Sequence, residues 1–141
     1  MFFRPLLLPM LAQVVLTFLV MGRMYHLRIA EFRQKRIDPQ AAATRKEAGN
    51  ALTDSVAASD NFMNLFETPV LFYLNILSAL VLMVPDSSLV ILAWMYVLLR
   101  TAHSVVHTTS NTVMHRFYLF LASCAVLLGM WVRLGWYILT A

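Results

Sequence analysis

The sequence predicts an all-α integral membrane protein, a four-helix transmembrane bundle, and three observations lead there. Hydrophobic residues make up 60% of the 141 positions and charged residues only 13%, against roughly 25% charged and 45–50% apolar in soluble domains. A chain this short cannot bury that much apolar surface in a core of its own, so lipid must be the solvent for most of it. The apolar residues also gather in four runs, each near the roughly 20 residues that cross a bilayer as a helix. The length suits a single domain, 1–141, with no separate soluble module.

Helix 1 is expected over about residues 2–24, with Pro5 and Pro9 near its start. A signal peptide would have a shorter apolar centre and a small-residue cleavage site; this run is longer and leads into a charged segment. Helix 2 is expected over about 62–84 and is ended by a tight turn at Pro85-Asp86-Ser87-Ser88, where proline cannot continue the helix and Asp and Ser bond their own backbone. Helix 3 follows over about 89–107. The polar stretch Thr108-Thr109-Ser110-Asn111 separates it from helix 4, over about 115–139.

The segment between helices 1 and 2, a loop over about 25–60, differs in kind. With its flank it holds seven of the eleven Lys/Arg residues: Arg23, Arg28, Arg33, Lys35, Arg36, Arg45 and Lys46. Asp38-Pro39 interrupts it, and the alanine-rich stretch after Gln40 suits a short surface helix. A loop lying near anionic headgroups accounts for most of these charges, and no nucleic-acid partner is expected. Arg100 and Arg116 fall at the same end of the bundle, leaving Arg4 and Arg133 for the other. By the positive-inside rule the loop is expected on the cytoplasmic side and both termini on the non-cytoplasmic side. The lone Cys124 excludes an intramolecular disulfide or a cysteine metal cluster and suits a buried inert thiol.

Ionisable residues inside a span are costly and point to function or to a partner. Asn61, Asn64, Thr68 and Asn75 form one stripe of helix 2 with Glu67 beside it, and Pro69 frees the carbonyl of Leu65. Such asparagines can serve as interhelical glue, while Glu67 calls for a cation. On helix 3, Arg100, His103, His107 and Asn111 share a face, and Arg116 opens helix 4. Glu67, Arg100, His103, His107 and Arg116 all fall in the same half of the bundle, as a binding site or as a structural ion-pair layer. Arginines there suit an anionic ligand and would lower the pKa of a thiol beside them. The i, i+4 pair His103/His107, with His115 and Glu67, is a weak metal pattern, and no metal is expected.

The sequence Asn64-Leu65-Phe66-Glu67-Thr68-Pro69, the Arg100-x-x-His103-Ser104 motif and the later Arg116 resemble the MAPEG family, membrane-associated proteins in eicosanoid and glutathione metabolism. The resemblance covers nearly the whole chain in architecture. It implies a homotrimer in the lipid bilayer, with glutathione as co-substrate between protomers near the cytoplasmic face, and a transferase or peroxidase acting on lipophilic small molecules. Arg116 would be catalytic, stabilising the glutathione thiolate. Asn64, Glu67, Arg100, His103 and His107 would hold the peptide, with Arg28 or Arg23 meeting a carboxylate. The sequence is similar to bacterial members, which implies an inner membrane. It departs from the eukaryotic pattern where tyrosines give way to His107 and Phe120. Those departures leave open a non-catalytic member of the same fold, an accessory or scaffolding subunit of a membrane complex.

Overall fold

The computed structural model describes residues 4–84 and 86–140. Six helices follow in order: α1 Arg4–Lys35, α2 Arg45–Ala51, α3 Val56–Asn64, α4 Thr68–Val81, α5 Ser87–Thr108 and α6 Val113–Thr140, with a 3₁₀ turn at Pro39–Ala42. No strand occurs among the described residues. Four stretches are long and apolar enough to cross a membrane: Pro5–Lys35, Val56–Val81, Ser87–Thr108 and Val113–Thr140. The second crossing is therefore made of α3 and α4 together.

The core lies between α4, α5 and α6. Phe72 of α4 stacks on Tyr96 of α5 with ring centroids 4.6 Å apart, and Ile76, Leu89, Ala93, Met130 and Leu134 pack around them. α1 closes the bundle through Leu6 at one end and through Leu16 and Val20, against Leu65, further along. The outward faces carry Leu11, Phe18, Leu98, Leu128 and Trp136, the apolar surface that suits acyl chains.

Helix 1 runs on to Lys35, eleven residues past the end expected from polarity. At 32 residues it is about 48 Å long, well beyond the roughly 30 Å of bilayer hydrocarbon. Its last turns therefore carry charge without leaving the helix, and the basic loop is in large part helical. Nothing in 25–35 breaks a helix. The end comes at Arg36, whose φ of 51° lets Ile37 N–H reach the Phe32 carbonyl at 3.2 Å. The alanine-rich stretch forms the 3₁₀ turn and α2, which opens with a capping box: Glu47 N–H donates to Thr44 Oγ1, and Thr44 N–H to the Glu47 carboxylate at 3.0 Å.

The buried Glu31, 1% exposed, ties this overhang down. Its Oε1 accepts from Lys35 Nζ and from the backbone N–H groups of Thr53 and Asp54, and its Oε2 from the N–H and hydroxyl of Ser55. One carboxylate thus fixes the turn between α2 and α3 to α1.

The second helix breaks at Leu65, Phe66 and Glu67. Pro69 cannot donate to the carbonyl four residues before it, and its ring opposes a continuous helix there. At the opposite end α4 stops with Met83 at φ 53° and Val84 N–H on the Ala79 carbonyl at 3.0 Å. The expected turn includes Pro85, which lies outside the described residues. Asp86 caps α5 through the Ser88 N–H at 2.8 Å and receives both Nε and Nη2 of Arg133 from α6, at 3.0 and 2.6 Å. Burial alone would raise the Asp86 carboxyl, but the bonds from Ser88 and Arg133 outweigh it and hold the group below its ordinary value.

Candidate functional site

The polar stripe of the second crossing docks onto α5 rung by rung. Ser104 Oγ donates to Asn61 Oδ1 at 3.2 Å, Arg100 Nη2 to the side-chain and backbone oxygens of Asn64 at 2.7 and 2.9 Å, and the Tyr96 hydroxyl to Thr68 Oγ1 at 3.2 Å. The break at 65–67 makes the middle rung possible: the Asn64 carbonyl takes only a long contact from the Glu67 N–H, 3.4 Å, and also accepts from α5. Arg100 uses the Asn64 carbonyl rather than that of Leu65, which Pro69 deprives of its helical donor.

Arg100 is fully buried, 0% exposed. Its Nε and Nη1 have no hydrogen-bond partner, and its guanidinium carbon stands 5.6 Å from the centre of the Phe120 ring, a cation–π arrangement. The cation expected to meet Glu67 meets Asn64 instead. Glu67 sits in the break, turned out of the helical stripe and exposed, with no ion pair among the described residues.

At this loop end lies a cavity of about 670 Å³. Arg28 from α1, Asn64 and Glu67 from the break, His107 from α5 and Arg116 from α6 all line it, and Ala48 and Gly49 of α2 form part of its roof. A second cavity of about 220 Å³ shares Asn64, His107 and Arg116 and adds His103, Phe117 and Phe120. Of the residues singled out from sequence, Arg28, Asn64, Glu67, His103, His107 and Arg116 reach one or both spaces. Arg100 lines neither and acts as the strut behind Asn64.

The two helix 1 arginines separate here. Arg28 lines the larger cavity and reaches Ser59 Oγ at 3.4 Å. Arg23 instead donates to the Thr108 carbonyl at 2.9 Å, at the end of α5, and is not part of the wall. Arg116 Nη1 donates to Asn111 Oδ1 at 2.5 Å. Asn111 itself adopts φ 49° just past the end of α5, a conformation asparagine tolerates better than most residues.

His103 and His107 are 3% and 5% exposed. Their rings meet edge to face, centroids 5.5 Å apart. His103 Nδ1 lies 3.0 Å from the Arg116 carbonyl, while His103 Nε2 and both ring nitrogens of His107 have no partner. Among the described residues no group of three His, Cys, Asp or Glu side chains is placed to hold a metal ion. Sequence reasoning passed over Ser59 and the α2 roof, both part of the larger cavity's wall. Their signal would have been a helix punctuated by small residues beside a capping box.

Fold and site together define a multi-pass helical membrane protein with a charged cavity at one end of its bundle. The MAPEG family model matches residues 6–136, and the chain belongs to the MAPEG family. That family includes glutathione-dependent transferases and peroxidases as well as other members. No curated protein and no solved structure matches the chain.

Proposed function

We propose that this protein is a glutathione-dependent membrane transferase or peroxidase, acting on lipophilic electrophiles as a homotrimer. The observation that carries the reading is the larger cavity, which gathers Arg28, Asn64, Glu67, His107 and Arg116 from four separate elements. Its size, about 670 Å³, falls within the roughly 300–1,000 Å³ typical of small-molecule sites. Cations and a carboxylate around one space suit a peptide that carries both carboxylates and an ammonium group. Arg28 would meet a carboxylate, Glu67 the ammonium, and Asn64 the peptide backbone, with Arg100 holding Asn64 in place.

Arg116, which lines both cavities, would stabilise the thiolate. The apolar outer face of α6, with Phe117 and Leu121 exposed, would border a groove open to the acyl chains for the acceptor. Glu67 is exposed on the single chain, as a residue at a subunit boundary would be. By the distribution of basic residues, the cavity would face the cytoplasm from a bacterial inner membrane. A second reading, a non-catalytic accessory subunit, is favoured by one contact: the Arg116 guanidinium already holds Asn111.

The test is a thiolate difference spectrum together with conjugation of a lipophilic chloronitrobenzene, on the wild type, Arg116→Ala and Glu67→Ala. Loss of a cation beside sulfur raises a thiol pKa by one to three units on the usual scale, so Arg116→Ala should reduce the thiolate band and slow turnover by about tenfold or more. Glu67→Ala should chiefly weaken glutathione binding. A wild type with neither thiolate nor conjugation at millimolar glutathione leaves the accessory-subunit reading.

A further inference from the structure

We propose that Glu31, which does not itself line the cavity, is the positioning residue that sets Arg28 in the ligand-binding wall. The inference rests on the glutathione reading above and adds to it a residue that acts through Arg28. Glu31 and Arg28 stand one turn apart on α1, and Ser55 and Ser59 one turn apart at the start of α3. The two helices therefore meet in two rungs. In the outer rung the N–H and the hydroxyl of Ser55 both donate to Glu31 Oε2, at 3.2 Å. In the inner rung Arg28 Nη2 donates to Ser59 Oγ at 3.4 Å.

The rungs differ in strength, and the difference decides which residue places the other. Glu31 also accepts the N–H groups of Thr53 and Asp54, at 2.5 and 3.1 Å, so the outer rung is a set of charge-assisted bonds to main chain. The inner contact lies at the limit of hydrogen-bond length, and Arg28 Nε is buried without a partner. Arg28 thus cannot hold the register of α1 on α3; it takes its place from Glu31. The clamped turn also runs directly into the wall. Leu52 before it, Ser55 at its end and Ser59 one turn on all line the larger cavity with Arg28. Without the carboxylate, the N–H groups of residues 53–55 lose their acceptor and the turn must move to find others. A slip of one residue between the helices shifts Arg28 by about 1.5 Å along the axis, enough to break a charge-assisted contact to a carboxylate. Asn64 and Arg116 are held independently, by Arg100 and Asn111. Glu31 therefore governs the grip on the ligand and not the state of its sulfur.

The experiment is a double-mutant cycle on equilibrium binding of labelled glutathione, with the thiolate band read at equal occupancy. Glu31→Gln keeps the size of the side chain but turns one acceptor into a donor facing N–H groups. It should weaken binding by about tenfold, as Arg28→Ala does, with the thiolate band per bound glutathione unchanged. The double variant should bind within about twofold of Arg28→Ala alone, whereas independent effects would multiply to about 100-fold. Lys35→Met removes the ion pair and leaves the bonds to the turn, and should stay within about twofold of the wild type. Multiplying losses, an affinity of Glu31→Gln within twofold of the wild type, or fewer binding sites at unchanged affinity overturn the inference and leave the glutathione reading standing. Should Glu31→Gln fail to fold, Glu31→Asp, which keeps the charge but shortens its reach by one methylene, carries the same cycle. Absence of saturable binding to the wild type removes both readings.

Discussion

Replacing Asn64 with alanine would take from Arg100 the shorter of its two hydrogen bonds, 2.7 Å, and leave it only the backbone carbonyl at 2.9 Å. The guanidinium is fully buried and two of its nitrogens already lack partners, so no other acceptor takes over. A hydrogen bond to a charged group is worth about 1.5–3 kcal/mol, whereas polar contacts between membrane helices average nearer 0.6, with an upper range of about 2. The charge and complete burial here place the side-chain bond near the top of that membrane range, at about 2 kcal/mol. Arg100→Leu removes the guanidinium outright and should cost less than leaving it half-satisfied. A double-mutant cycle of Asn64→Ala and Arg100→Leu, read from reversible unfolding in mixed detergent, should give a coupling of about 2 kcal/mol. A coupling below about 0.5 kcal/mol, the usual limit for independent sites, would refute the strut.

Three further outcomes are expected. A reporter fused after Ala141 should report the non-cytoplasmic side and one inserted near Ala42 the cytoplasmic side, because nine of the eleven basic residues fall at the loop end; the reverse pattern would overturn the orientation. Native mass spectrometry in detergent should show a threefold assembly, and a clean monomer would remove the shared-site reading. Asp86, whose carboxyl is held below its ordinary value near 3.8, contributes stability that is present above that value and lost as pH falls through its lower folded value. Acid unfolding of Asp86→Asn should therefore lack that part of the wild-type pH dependence, and identical profiles would argue against the Arg133 contact.

The four crossings were legible because hydrocarbon imposes one requirement on every residue of a span, and a run of apolar side chains states it directly. The extension of α1 was not legible. Charge in 25–35 reads as loop only if a helix must end at the membrane surface, and this one continues beyond it. Pro69 announced a disturbance in the second crossing. What it could not announce was that the chain would rotate Glu67 outward and present Asn64, so that the arginine expected on the carboxylate settled on an amide and a carbonyl. Glu67→Ala is accordingly not expected to strand Arg100. Glu31 escaped notice for a different reason: half of its partners are backbone N–H groups of residues 53–55, more than twenty positions away, and backbone donors carry no sequence signature. The residues around the cavity were readable as a polar layer at one depth. Separating strut from wall, Arg100 from Arg116 and Arg23 from Arg28, required the geometry.

That last separation gives the most direct test of the claim that the larger cavity holds glutathione. Equilibrium binding of labelled glutathione should be measured on the purified wild type, Arg28→Ala and Arg23→Ala. Saturable binding is expected in the wild type at millimolar concentration or below. Arg28→Ala, losing a charge-assisted contact, should weaken it by about tenfold or more. Arg23→Ala, which removes only a bond to the Thr108 carbonyl, should stay within about twofold of the wild type. No saturable binding up to about ten millimolar, or a larger loss from Arg23→Ala than from Arg28→Ala, would contradict the account.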